Sequence, residues 1–71
     1  MAHKTGTAEE LQAEIARRIA ANPACNGCLA PMPVPANKAL YLANWTVVYE
    51  PGRSEALVAI VLGVMREFDL I

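Results

Sequence analysis

The sequence is short of charge. Only 18% of its 71 residues are Asp, Glu, Lys or Arg, and its net charge is −1, against about 25% charged in an average globular domain. Its longest basic run is Arg17-Arg18. That falls short of the clustered Lys/Arg face by which nucleic-acid binders announce themselves, so no nucleic-acid partner is expected. Histidine occurs once, as His3, which leaves Ser54 and Thr7 without an activating base in the folded part. No glycine-rich phosphate loop or calcium loop is present. The first residues lack the apolar segment of about 7–15 residues that a secretory signal needs, and a cytoplasmic protein is expected. The longest apolar run, Ala56 to Met65, is about half of the roughly 20 residues that span a bilayer, so no membrane partner is expected.

Apolar material is abundant by contrast. The chain is 55% hydrophobic, far from the composition of disordered segments. A domain this small hides a limited share of its surface. Part of the surplus is therefore alanine filler or belongs to an interface.

Residues 1–6 read as a flexible tail, and residues 7–71 as a single domain. Thr7 opens a helix over about 7–21, with Glu10 three residues on completing a capping box. Leu11, Ile15 and Ile19 form its apolar stripe, and Glu14 reaches Arg18 at i,i+4. Asn22-Pro23 ends it, because the residue before proline avoids the α region. Leu29 to Val34 reads as an edge strand or polyproline-like stretch, since Pro31, Pro33 and Pro35 each lack a backbone donor. Residues 36–43 read either as extended chain or as a covering loop. Trp45 to Glu50 is the clearest strand, rich in aromatic and β-branched residues. Trp45, Val47 and Tyr49 share one face, while Thr46, Val48 and Glu50 share the other. Pro51-Gly52 ends it. Ser54 caps a last helix whose apolar face is Leu57, Ile60, Val61, Val64, Met65 and Phe68.

The expected fold class is therefore α+β: a two-layer α-β-β-α domain with two helices packed on a small antiparallel sheet. Two strands alone are marginal in water. A third short strand from residues 38–42, the two helices, or a second subunit would complete the sheet. Val58 and Leu62 fall outside the main apolar face of the last helix. They are read either as interface residues, together with Val48 on the outer strand face, or as residues lying beneath the first helix.

Three stretches carry a resemblance: Asn22-Pro23-Ala24-Cys25 at the helix exit, Asn44-Trp45 at the strand start, and Glu67-Phe68-Asp69-Leu70 at the end. The chain resembles a family of short uncharacterised bacterial proteins with these landmarks in this order, over most of residues 11–70. The resemblance implies no activity and hence no functional residue. Cys28 and the prolines at 31–35 depart from the family pattern.

One motif has chemical content, Cys25-x-x-Cys28. It admits a redox pair, a zinc knuckle, or two plain buried thiols. A redox pair normally sits at a helix N-terminus, where the dipole lowers the thiol pKa, whereas this one follows a helix C-terminus. Structural zinc needs four ligands, which this knuckle supplies only if two subunits share a site. Buried cysteine commonly behaves as a small hydrophobe. Asp69, near a helix C-terminus, calls for a partner such as Arg66 or Arg53, or marks a site. Trp45 and Tyr49 could stack on bases but without flanking cations read as core. The function expected is a non-enzymatic interaction or self-association domain, a homodimer or a protein-binding module without a cofactor. The alternative is a cysteine-dependent zinc or redox protein using Cys25 and Cys28.

Overall fold

The computed structural model describes residues 4–25, 27–37, 43–49 and 54–71. They form an α+β arrangement of two helices and four short strands. Strand β1 is Lys4–Gly6, helix α1 is Ala8–Ala20 and a 3-10 turn is Pro23–Cys25. Strands β2 and β3 are Val34–Pro35 and Trp45–Thr46. Helix α2 is Glu55–Glu67, and strand β4 is Phe68–Leu70.

Both helices start where their capping residues dictate. The Thr7 hydroxyl accepts from the Glu10 amide at 3.2 Å, and the Glu10 carboxylate accepts from the Thr7 amide at 2.9 Å. This is the reciprocal box that satisfies two otherwise orphaned donors. The Ser54 hydroxyl accepts from the Ala56 amide at 3.1 Å. Leu11 and Ile15 of α1 are fully buried, as are Val61 and Val64 of α2, with Leu57 and Met65 beside them. The two stripes face one another around Trp45, Val47, Ala43 and Cys25.

Asn22 closes α1 by a specific device. Its side-chain oxygen accepts from the Ala24 amide at 3.0 Å, and its carbonyl accepts from Cys25 at 3.0 Å. Asn22 thus caps the 3-10 turn, with Pro23 in the first position, where a missing donor costs nothing. The turn delivers Cys25 into the core at zero exposure.

Three sequence expectations change. Residues 4–6 are not tail: β1 runs parallel to β4, pairing Lys4 with Phe68, Thr5 with Asp69 and Gly6 with Leu70. Phe68 does not continue the last helix. It is the extended C-cap of α2, its amide donating to the Val64 carbonyl, and it begins β4. The described strands form two separate two-stranded sheets rather than one antiparallel sheet. In the second, β2 and β3 run antiparallel, pairing Val34 with Thr46 and Pro35 with Trp45. Only Trp45 and Thr46 of the expected 45–50 strand pair, and only Val34 and Pro35 of the proline-rich stretch. The candidate third strand at 38–42, Glu50, Pro51-Gly52 and Arg53 lie outside the described residues.

Strand β4 is held on both edges. One edge pairs with β1, and the Ile71 amide donates to the Gly6 carbonyl at 2.9 Å. On the other edge the Asn44 side chain takes the place of a strand. Its amide nitrogen donates to the Leu70 carbonyl and its oxygen accepts from the Leu70 amide, both at 2.7 Å. The Trp45 indole nitrogen donates to the Phe68 carbonyl at 3.0 Å. The Lys4 ammonium lies 5.6 Å from the centre of the Phe68 ring, a contact of cation–π type. Removing the Asn44 amide leaves two backbone groups of Leu70 without their partners. Asn44→Ala is expected to lower unfolding stability by about 2 kcal/mol in urea titrations; a loss under about 0.5 kcal/mol would show that water replaces the side chain freely.

Candidate functional site

The cysteine turn is the first place to look for chemistry. Cys28 donates its backbone N–H to the Cys25 carbonyl at 2.9 Å, and Gly27 adopts φ +86°. That left-handed conformation suits glycine in the third position of a tight turn. Cys25 is buried, Cys28 is half-buried, and both are free thiols. Burial pushes the Cys25 thiol up, and hydrogen bonding and charge interaction with Cys28 add to the rise. Reactive and metal-binding cysteines need the opposite shift, because the thiolate is the nucleophile and the ligand. Among the described residues no three His, Cys, Asp or Glu side chains gather as a metal-holding group, and His3 lies outside them. A depression of about 290 Å³ opens beside the turn, lined by Ile19, Ala20, Asn22, Pro23, Cys25 and Gly27. Asn22 supplies the polar side chain there, and it is already engaged with Ala24.

The second candidate is the charge cluster where the helices meet. Glu14 accepts from Arg17, whose Nε is 3.3 Å away and whose Nη2 makes a closer second bond. It also accepts from the Nε of Arg18 at 2.7 Å. Arg18 then reaches across to Glu67 of α2 at 3.0 Å. Glycine at position 63 leaves the space this crossing uses: a Cβ there would lie 3.3 Å from the Arg18 guanidinium. Hydrogen bonds from Arg17, then from Arg18, lower the Glu14 carboxyl from 4.5 to about 2, against the opposing effect of burial. A carboxylate held so firmly ionised is a poor proton shuttle at neutral pH. The cluster joins the two helices and is not an acid/base pair.

The third candidate is the outer face of the β2–β3 ribbon. Alternation puts Trp45, Val47 and Pro33 inward, all buried. Thr46 and its partner Val34 face the other way. Continuing that register by two residues sets Met32 opposite Val48. Val48 is 77% exposed, Met32 44% and Val34 37%. Among the described residues this face contains no charged side chain; Glu50, which the alternation assigns to it, lies outside them.

The sequence-derived residues fall into separate places. Cys25 and Cys28 share the turn. Val48 stands on the exposed ribbon face. Val58 and Leu62 are half-buried on α2, with Leu62 packed against the core. Trp45 is fully enclosed and has no face left to stack on a base. Asp69 sits in β4 opposite Thr5 rather than at a helix end. Sequence reasoning missed Met32 and Val34 as members of the exposed face. The signal was their period-two spacing, which the interleaved Pro31, Pro33 and Pro35 obscured.

The Glu14 cluster makes a pH prediction. The folded pKa is depressed, so the stabilisation is complete above the ordinary carboxylate range and is lost as pH falls from about 4.5 toward about 2. Urea midpoints of wild type and Glu14→Gln are expected to differ at about pH 6 and to converge near pH 2. An equal gap at both pH values would show that the difference is not ionic.

The three stretches that carry the family resemblance have structural duties: Asn22 caps the 3-10 turn, and Asn44 and Trp45 bind the backbone of Phe68 and Leu70. No family model matches the chain, and neither a curated protein nor a solved structure matches it.

Proposed function

We propose that this chain is a non-enzymatic self-association module and that a second copy covers the outer face of the β2–β3 ribbon. The observation that carries the reading is the 77% exposure of Val48 on a face shared with Met32 and Val34. Clustered exposed apolar side chains mark interaction surfaces, whereas scattered ones do not. Burying a valine or methionine fully is worth about 1.5–3 kcal/mol, and a two-fold axis makes each residue count twice. Among the described residues the face is apolar apart from Thr46, and an apolar face is complementary to itself, which is what a two-fold interface requires. Strands of two residues are marginal in water by themselves, so a covering copy would also support the ribbon. Val58 and Leu62 on α2 are a lesser part of this reading, because Leu62 already packs against the core.

The cysteine alternative draws less support. Its better-buried thiol has its pKa pushed up, away from the thiolate that zinc or redox catalysis would use.

Native mass spectrometry and light scattering test the reading. At about 100 μM the wild type is expected to populate a dimer, and Val48→Glu to weaken it at least about tenfold with unchanged far-UV circular dichroism. A wild type that stays monomeric to about 1 mM contradicts the proposal.

A further inference from the structure

We propose that Cys25 and Cys28 form an intramolecular disulfide by exchange with a small-molecule disulfide, Cys28 being the entering thiol and Cys25 the resolving one. Three observations on the turn support this, none of which depends on self-association.

The first is backbone reach. The Cys28 amide bonds the Cys25 carbonyl at 2.9 Å, and a turn closed this way keeps its end Cα atoms within about 7 Å. Disulfides span Cα separations of about 4.4–6.8 Å. The second is electrostatic: interaction with Cys28 adds to the rise that burial gives the Cys25 thiol, as expected of groups close together. The third is unequal access. Cys25 has no exposed surface and Cys28 is half-buried. An oxidant therefore meets Cys28 first.

The chemistry balances without a metal or cofactor. Cys28 loses its proton to solvent and attacks one sulfur of the small disulfide. A mixed disulfide forms on Cys28, and the first small thiolate leaves. Cys25, whose thiol pKa burial holds above the ordinary range, loses its proton only slowly and then attacks the Cys28 sulfur, so exchange is slow rather than catalytic. The mixed disulfide breaks, the Cys25–Cys28 bond forms, and the second small thiolate leaves. Two electrons pass from the protein dithiol to the oxidant, whose two thiolates take up the two protons. Because one hydrogen-bonded turn already holds both residues, the bond needs no opening of the helices.

The test uses the full chain and oxidised glutathione, with an alkylating quench and intact mass measurement. The wild type is expected to become about 2 Da lighter, to resist alkylation, and to return to its starting mass with dithiothreitol. Cys25→Ala is expected to stop at one glutathione on Cys28. Cys28→Ala is expected to react at least about tenfold more slowly, its remaining thiol being buried. The proposal is overturned if the wild type accumulates a stable glutathione adduct, a disulfide-linked dimer, or a chain still alkylated at both thiols. The wild-type outcome decides even if a variant fails to fold, and a monomeric wild type leaves it intact.

Discussion

The clasp on β4 is the constraint on which the remaining structure depends. Three residues at the end of α2 turn from helix to strand, and their backbone groups must be paired wherever water is excluded. Strand β1 satisfies one edge. No described strand lies on the other, and the Asn44 amide and Trp45 indole take its place. An asparagine side chain suits this because it presents one donor and one acceptor side by side, as a peptide group does. The same two residues anchor the start of β3, so the clasp joins both small sheets to both helices through Trp45, the largest fully buried side chain.

This arrangement separates a closed interior from an open face. The inward side chains Trp45 and Val47 of the β2–β3 ribbon are buried in one core with residues of α1 and α2, and the charges at the helix contact pair across Glu14, Arg17, Arg18 and Glu67. Gln12 of α1 also holds the segment leading to β2, donating to the Ala30 carbonyl at 3.0 Å. Among the described residues the outer ribbon positions have no comparable cover. The fold thus leaves apolar surface open on the ribbon, and its cysteine turn carries two free thiols of unequal burial.

Much of the fold was legible in the sequence because local chemistry specified it. Thr7 with Glu10, Ser54, and the spacing of Leu11, Ile15, Leu57, Val61 and Val64 fix both helices from neighbouring residues alone. Alternation around Trp45 likewise gives its inward and outward faces. The termini were not legible for a physical reason. Strand β1 pairs in parallel with a partner at the far end of the chain, and three-residue strands carry too little pattern to reveal it. Phe68 misleads because it continues the apolar spacing of α2, while the backbone partners that pull it into extended form are Asn44 and Trp45. Of the candidate site, the cysteine pair and Val48 were visible as residue types. The burial difference between Cys25 and Cys28 was not, since it follows from the Asn22 cap that drives one thiol inward.

Native-state hydrogen exchange followed by NMR tests the clasp most directly. If it closes the fold, the Leu70 amide and the Trp45 indole N–H exchange only through the global opening that also exposes the Val61 and Val64 amides, and their protection falls with denaturant along the same line. If the Leu70 amide and Trp45 indole instead exchange through a local, denaturant-independent opening while Val61 and Val64 stay protected, then the end of the chain frays independently and the clasp does not organise the structure.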